Sequence, residues 1–208
     1  MKLIAHDGRT LRAEQKRSER RDAIVRSAER VFWQRGYHDA SITDVIDAAE
    51  ISRGTFYLYF TGKDALFLHL IERFVGFITE ALEVVDPHGP EPARRTFENV
   101  VRVVNVAVEH PELTCVVLRE SRGRNPEIDE KLDRLYGFLQ SMVEGALKNG
   151  AESGLTRRVN EPVVATALIG AFKEVFLSHL AQPHSAPDRH ALAESLFEFG
   201  VRGLFVAT

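Results

Sequence analysis

The chain has 208 residues, of which 44% are hydrophobic and 27% are charged, and its formal net charge is −3. This composition is typical of a globular protein and excludes a chain that is disordered throughout. No apolar run approaches the roughly 18 residues of a membrane span, no signal-peptide core is apparent, and the single cysteine, Cys115, excludes an intrachain disulfide. We therefore expect a cytoplasmic protein that has no membrane partner and buries Cys115.

The charge is unevenly distributed along the chain. Residues 1–21 contain seven Lys/Arg and three Asp/Glu, whereas residues 64–208 contain fifteen Lys/Arg and twenty-one Asp/Glu. A basic segment ahead of an acidic body indicates a polyanionic partner for the N-terminal part alone. A solvated basic tail explains the same residues equally well. We expect a basic arm over residues 1–19.

Two helices are predicted after this arm. Apolar residues recur at helical spacing between residues 22 and 36, and again from Ile42 onward, so that each segment has one face to bury. Ser41 or Thr43 can cap the second helix, because either hydroxyl can accept a hydrogen bond from an unpaired amide of the first turn.

A third helix is predicted within the stretch ISRGTFYLYFTGK, residues 51–63. Ser52 can cap its start, and Gly62 breaks it before a fourth helix begins. We expect Phe56 and Phe60 to face inward and to fix this helix on the two before it. Helices this short, joined by a tight turn, are typical of a helix-turn-helix.

Further helices follow to the end of the chain. The predicted ranges are a fourth helix from 63 to the proline-rich loop near 86, then 93–109, 112–122, 127–148, 162–181 and 188–206. No strand is apparent. The predicted fold class is all-α, with a three-helix helix-turn-helix domain over residues 20–65 and a larger C-terminal helical domain over residues 66–208.

The third helix carries side chains that suit DNA reading. In a helix-turn-helix, the N-terminal residues of the second helix of the pair enter the major groove. Arg53 can bind guanine O6 and N7, Gly54 lets the backbone approach closely, and Thr55 offers a hydroxyl and a methyl group. Tyr57 adds a ring with a polar tip, and Lys63 is placed to hold a phosphate.

The run AERVFWQRGYHDASI followed by TDVIDAAEISRGTFYLYFTGKDAL resembles the N-terminal domain of the TetR family of transcriptional regulators. The resemblance covers about residues 20–68, and the rest of the chain is similar to the family only in helical layout and length. It implies contacts with operator DNA from the following residues: Thr43, Ser52, Arg53, Gly54, Thr55, Tyr57, Tyr59 and Lys63.

Two positions depart from the family pattern. Glu50 stands where the family often has a turn glycine, so the turn either avoids positive φ or carries a strain of about 1 kcal/mol. Leu58 replaces a residue that is often aromatic or polar, which favours contact with a thymine methyl group.

The resemblance also implies a C-terminal domain that forms a homodimer and binds a small effector, with repression relieved by the ligand. The last two predicted helices carry apolar faces that suit such an interface, although an intramolecular core is the alternative. The candidate interface residues are Val164, Leu168, Phe172, Val175, Leu192, Leu196, Phe199 and Gly203.

A hydrophobic or aromatic effector is expected from the phenylalanine content of this domain. Most candidates for its pocket are apolar and suit a plain core as well. Arg119, Arg122 and Arg124 can present cations to an acidic ligand such as an acyl thioester, although a solvated helix end explains them better. The candidates are Phe67, Leu70, Phe74, Phe77, Val104, Val108, Val117, Arg119, Phe138, Met142, Phe172 and Phe176.

Other chemistries find little support. No pair of histidines at i and i+4 lies on a predicted helix, so we expect no metal site, and no phosphate-binding glycine loop or nucleophile elbow indicates an enzyme or a cofactor. The alternative function is that of a helical small-molecule-binding or adaptor protein that does not bind DNA. This alternative does not explain why one exposed face would carry Arg53, Gly54, Tyr57 and Lys63.

Overall fold

The structure is a computed structural model that describes residues 4–119, 125–180 and 188–204, with side-chain surroundings for 10–119, 125–180 and 188–200. These ranges contain α-helices and no β-strand, which confirms the all-α prediction. The helices are α1 (Ile4–Arg35), α2 (Ile42–Ala48), α3 (Arg53–Tyr57), α4 (Lys63–Ala81), α5 (Pro92–Glu109), α6 (Pro111–Arg119), α7 (Pro126–Glu152), α8 (Glu161–Leu180) and α9 (Arg189–Leu204).

The chain divides into two compact units, Met1–Leu70 and Ile71–Thr208. We call them the N-terminal and the C-terminal unit. The expected boundary lay a few residues earlier, between residues 65 and 66. The difference arises because the first turns of α4 bury Leu66, Phe67 and Leu70 completely.

The core of the N-terminal unit forms where α1 meets the short helices and the start of α4. Phe32 lies edge-on to Tyr37 and Phe67, at ring-centroid distances of 5.5 and 6.3 Å. Phe56 is fully buried and Phe60 is 5% exposed, as the sequence predicted. This aromatic burial adds to that of Ile24, Leu66 and Leu70 and stabilises the N-terminal unit.

α1 is longer than the apolar pattern predicted. It begins at Ile4, so the predicted basic arm is a helical extension and not an irregular tail. Residues 10–21 of this extension are exposed. Because these residues bury no apolar face, hydrophobic periodicity gives no signal for a helix there.

In the C-terminal unit, α5 packs against α9, and both α6 and α7 pack against α8. Cys115 on α6 is buried, as expected, and burial raises the pKa of its thiol. The loop after α7 closes with Gly154 at φ +75, while the Leu155 amide donates to the Gly150 carbonyl at 2.9 Å. This is a Schellman motif, in which a left-handed residue satisfies the last carbonyls of a helix.

α8 is unusually apolar for its exposure. By length and composition, α8 is long enough and apolar enough to cross a membrane, and it is one such helix among the residues that the structure describes. Of its most apolar stretch, 17% is buried. Lys173 and Glu174 interrupt the apolar run, which is why it does not stand out in the sequence. An exposed apolar helix of this length requires a partner surface.

Candidate nucleic-acid interface

α2 begins with a complete capping box. The Ser41 hydroxyl accepts from the Asp44 amide at 3.1 Å, and the Asp44 carboxylate accepts from the Ser41 amide at 2.8 Å. The structure thus selects Ser41 over Thr43 as the cap. The Ser41 amide and the Ser41 hydroxyl both donate to the Asp44 carboxylate and lower its pKa, and the charge of Arg35 at 2.7 Å lowers it further. The box therefore stabilises α2 at neutral pH and loses that stability as the pH falls through the lowered pKa.

The turn between α2 and α3 places Glu50 in the left-handed region, at φ +53. The Glu50 amide donates to Asp47 and the Ile51 amide donates to Ile46, both at 3.2 Å. This is again a Schellman motif, with glutamate where glycine is usual. Of the two alternatives left open by the sequence, the turn adopts positive φ and carries the strain, which costs about 1 to 2 kcal/mol.

α3 begins with a second side-chain cap. The Ser52 hydroxyl accepts from the Thr55 amide at 3.1 Å and lies 2.8 Å from the Thr55 hydroxyl. Beside it, the Arg53 guanidinium donates to the Thr43 hydroxyl at 3.1 Å, which joins the starts of α2 and α3. Thr43, Ser52 and Arg53 are all exposed, so these polar groups form one solvent-facing surface.

Gly54 lies on this surface with space around it. A Cβ atom added there would meet only the Ser52 hydroxyl, at 3.9 Å, and its backbone does not require positive φ. The fold of the single chain therefore does not demand glycine at position 54. What a side chain would obstruct is the approach of another molecule.

The far end of α3 presents an exposed aromatic and an exposed aliphatic side chain. Tyr57 is 48% exposed and Leu58 is 74% exposed, whereas Tyr59 is half-buried. The exposure of Leu58 is consistent with the contact with a thymine methyl group that its departure from the family pattern favours. Its exposure beside Tyr57 places it on the same candidate surface.

Lys63 has a role that the sequence did not reveal. Its ammonium donates to the backbone carbonyls of Tyr37, His38 and Ala40 at 2.8, 3.0 and 3.0 Å, and lies 4.7 Å from the Tyr37 ring centroid. These bonds use the three donors of the ammonium group. In this conformation Lys63 holds the segment between α1 and α2 and has no donor left for a phosphate, contrary to our expectation.

The predicted effector residues do not form one group. Phe67 and Leu70 are fully buried in the N-terminal unit, where Phe67 lies 4.4 Å from the Tyr37 ring, so they belong to its core. Arg119 is exposed and Phe138 is 40% exposed. The others lie in the C-terminal unit and are buried or half-buried: Phe74, Phe77, Val104, Val108, Val117, Met142, Phe172 and Phe176.

Two polar groups accompany these apolar residues, and sequence reasoning missed both. Thr114 is fully buried, and its hydroxyl has no hydrogen-bond partner among the described residues. His110 stacks on Phe77 with ring centroids 4.1 Å apart, and Arg73 lies 5.3 Å from the same ring. Burial lowers the pKa of His110, and the charge of Arg73 lowers it further.

A surface cavity lies elsewhere, between α7 and the start of α8. Its volume is about 580 Å³, and none of the predicted effector residues lines it. Its lining includes the charged side chains Glu144, Lys148 and Arg158.

The predicted dimer residues differ in exposure. Phe199 is 63% exposed, whereas Leu196 is 5% exposed and is covered within the single chain. Leu168 lies 3.5 Å from the position of a Cβ atom on Gly200, so α8 and α9 approach each other closely there. Val164, Phe172, Val175 and Leu192 are half-buried, and the surroundings of Gly203 lie outside the described residues.

No group of three or more His, Cys, Asp or Glu suited to a metal ion occurs in the part of the chain that the structure describes.

Comparisons with known proteins agree with this architecture. Residues 24–70 match the family described as bacterial regulatory proteins, TetR family. Among solved structures, FadR from Bacillus subtilis in complex with stearoyl-CoA has a TM-score of 0.68 at 21% identity, covering 87% of this chain and 97% of FadR. AibR in complex with isovaleryl coenzyme A and operator DNA has a TM-score of 0.74 at 17% identity, covering 86% of this chain and 97% of AibR.

A curated relative is more similar in sequence than these two structures. The HTH-type transcriptional regulator EthR of Mycobacterium tuberculosis is 36% identical over 179 residues, which cover 82% of this chain and 80% of EthR. This identity extends well beyond the helix-turn-helix into the C-terminal unit. Together with the match over residues 24–70 and the exposed α2–α3 surface, it establishes that the chain belongs to the TetR family of bacterial transcriptional regulators.

Proposed function

We propose that the chain is a repressor that binds a palindromic operator through α2 and α3 and leaves it when a hydrophobic effector binds the C-terminal unit. The observation that carries this function is the polar surface at the start of α3. Ser52 and Thr55 fix the first turn, and Arg53 is exposed beside Thr43. An Arg at this place, next to an unobstructed glycine, suits contacts with base edges in the major groove.

The repressor acts as a homodimer whose interface includes α8 and α9. Support comes from the 17% burial of the apolar stretch of α8 and from the exposure of Val163 and Phe199, at 62 and 63%. A second copy covers such a surface most economically, because one two-fold axis then matches two half-sites about 34 Å apart, or a multiple of that.

The effector is an acyl compound, with coenzyme A thioesters as the first candidates. FadR and AibR, which share the fold, were crystallised with stearoyl-CoA and isovaleryl-CoA. In this chain, the apolar interior of the C-terminal unit holds the buried hydroxyl of Thr114, which has no hydrogen-bond partner among the described residues. An apolar site with few polar groups is the usual form of a small-molecule pocket.

The protein acts in the cytoplasm and has no catalytic role. Its relatives are transcriptional regulators, and DNA is its macromolecular partner. The adaptor alternative leaves the exposed Arg53, Gly54 and Tyr57 without a purpose.

The test is a binding experiment on an operator selected from the DNA around the protein's own gene. Arg53→Ala should weaken binding to this operator by about 1 to 3 kcal/mol and leave binding to random DNA nearly unchanged. Arg94→Ala, an exposed arginine of the C-terminal unit, is the control for the loss of one charge. Equal losses on both DNAs for Arg53→Ala would mean that Arg53 contacts a phosphate.

The effector is tested on the same complex. Stearoyl-CoA or isovaleryl-CoA should raise the melting temperature of the free protein and release the operator. Release by a sugar or a metal ion alone, or acyl-CoA binding without release, would contradict the proposed effector class.

A further inference from the structure

The N-terminal extension of α1 presents an exposed basic face. Residues 10–21 are helical and exposed, and their charges are sorted around the helix axis. Arg12, Lys16 and Arg20 follow one another at i, i+4 and i+8, and therefore form one stripe on the helix surface. At 100° per residue, Arg17 and Arg21 lie on the adjoining stripe.

The acidic residues of the extension lie around the rest of the helix. Glu14 and Asp22 lie away from the stripe of Arg12, Lys16 and Arg20. Glu19 borders it and accepts a hydrogen bond from Gln15, at 3.2 Å. Among the described side chains, Arg12, Lys16, Arg17 and Arg20 have no ion-pair partner. We call the five residues Arg12, Lys16, Arg17, Arg20 and Arg21 the basic rail.

The basic rail is continuous with the helix-turn-helix. The Arg21 guanidinium lies 5.6 Å from the centroid of the Phe60 ring and 3.4 Å from the His69 imidazole. Phe60 lies three residues after the end of α3, the helix that carries the candidate DNA contacts. The C-terminal end of the rail is therefore fixed next to the end of α3 within the same unit.

The chemistry of the rail fits a DNA duplex better than a membrane. A helix that lies on a membrane needs an apolar face opposite its basic face. Residues 10–21 contain one large apolar side chain, Leu11, which is 57% exposed. A row of cations without an apolar face instead matches the regular phosphates of a duplex, whose binding depends on charge alone.

We propose that the basic rail binds the phosphates of the DNA that flanks the operator half-site. The proposal rests on the proposed function, because α3 must bring the rail to DNA. A helix of 12 residues is about 18 Å long, which corresponds to about five base-pair steps. The rail thus extends the contact with DNA by about five base pairs on each side, and it does so as a rigid element and not as a mobile tail.

The first experiment removes the charge of the rail. The triple variant Arg12→Gln, Lys16→Gln, Arg20→Gln removes six cations from the dimer, so it should bind the full operator at least 100-fold more weakly at ~0.1 M salt, with a salt-dependence slope smaller by about 5. The hydroxyl-radical footprint should shorten by about five base pairs on each side. Removing those flanking base pairs from the DNA should weaken the wild type and leave the triple variant unaffected.

The second experiment keeps the charge and breaks the helix. In Ser18→Pro, the ring clashes with the preceding turn and the amide of residue 18 is lost, so residues 10–17 no longer continue α1. The helix from residue 19 onward, which carries the buried core, keeps its hydrogen bonds because proline is tolerated in a first turn. Ser18→Pro should weaken binding to the flanked operator at least tenfold, and Ser18→Ala should not.

The outcomes separate this proposal from the function on which it rests. If the wild type binds no DNA, the proposed function and the rail both fail. If the wild type binds its operator and the triple variant binds it equally well, the rail alone is wrong. If Ser18→Pro binds the flanked operator as tightly as the wild type, residues 10–17 bind DNA as a mobile tail and not as a helix. Loss of binding to phosphatidylglycerol vesicles by a triple variant that still binds DNA normally would place the rail on a membrane.

Discussion

At the scale of single residues, we expect glycine at position 54 to serve DNA binding and not the stability of the fold. Its added Cβ atom has space in the folded chain, and alanine is more favourable than glycine in a helix by about 0.5 to 1 kcal/mol. Gly54→Ala should therefore raise the free energy of unfolding slightly while weakening operator binding, because the methyl group keeps the backbone from the DNA. Chemical denaturation and a DNA titration measure the two effects.

Gly137→Ala is the matched control. Gly137 lies within α7 with nothing near its added Cβ atom, so the same change should stabilise the protein and leave DNA binding unaltered. If Gly54→Ala binds the operator as tightly as the wild type, the close approach of the α3 backbone is refuted.

At the scale of single residues, the sequence predicts a hydrogen bond when the donor and the acceptor lie a few residues apart in the chain. The Ser41 and Ser52 caps form with amides three residues away, so a short motif is enough to predict them. Lys63 could not be predicted in the same way. Its partners are carbonyls more than twenty residues earlier in the chain, and backbone carbonyls leave no signature in the sequence.

At the scale of elements, Lys63 joins the start of α4 to the segment between α1 and α2. Lys63→Met keeps the apolar stem and removes three hydrogen bonds to carbonyl oxygens, so it should lower the free energy of unfolding by about 1.5 to 3 kcal/mol. Operator binding should weaken without a change in its salt dependence, since no phosphate contact is lost. Thermal denaturation and binding at several salt concentrations test this.

The comparison variant is Lys148→Met, in which an exposed lysine of α7 is removed. It should leave stability and binding near their wild-type values. A salt-dependence slope that falls by about 1.8 in Lys63→Met, or about 0.9 per subunit of the dimer, would instead identify Lys63 as a phosphate contact, as the sequence suggested.

Helix starts were predictable where a proline or a cap lies nearby, whereas α7 continues through Gly150 to Glu152, four residues beyond its predicted end. α5, α6 and α7 begin within one residue of the predicted starts, because each opens with a proline that marks the first turn. The start of α1 was missed, since the extension buries nothing. α3 is shorter than the inward-facing aromatics suggested, and ends at Tyr57.

At the scale of the whole molecule, the exposed face of α8 and α9 predicts a dimer that one charge can disrupt. Phe199 is exposed in the single chain, so Phe199→Arg should leave the fold intact and place an unpaired cation in the interface. Analytical ultracentrifugation should show monomers, and operator affinity should fall because each chain then binds one half-site alone.

The control is Val84→Arg, at a position that is 96% exposed and lies outside α8 and α9. It should remain dimeric. A wild type that sediments as a monomer at micromolar concentration would contradict the dimer directly.

The sequence predicted the overall layout better than the effector site. Helical periodicity and turn residues indicate where helices lie, and the motif around residues 51–63 indicates the DNA-binding unit. Phenylalanines, however, fill cores as readily as pockets. Phe67 belongs to the N-terminal core, and only its three-dimensional neighbours Phe32 and Tyr37 reveal this.

The left-handed backbone of Glu50 has a consequence for how this protein changes under mutation. Glutamate and glycine codons differ at one nucleotide, so the residue that relieves the strain of this turn is a single point mutation away. In a library selected for heat resistance with intact repression, Glu50→Gly should be enriched early, before substitutions that need two nucleotide changes. Deep sequencing of the selected population would reveal it as a readily accessible stabilising allele.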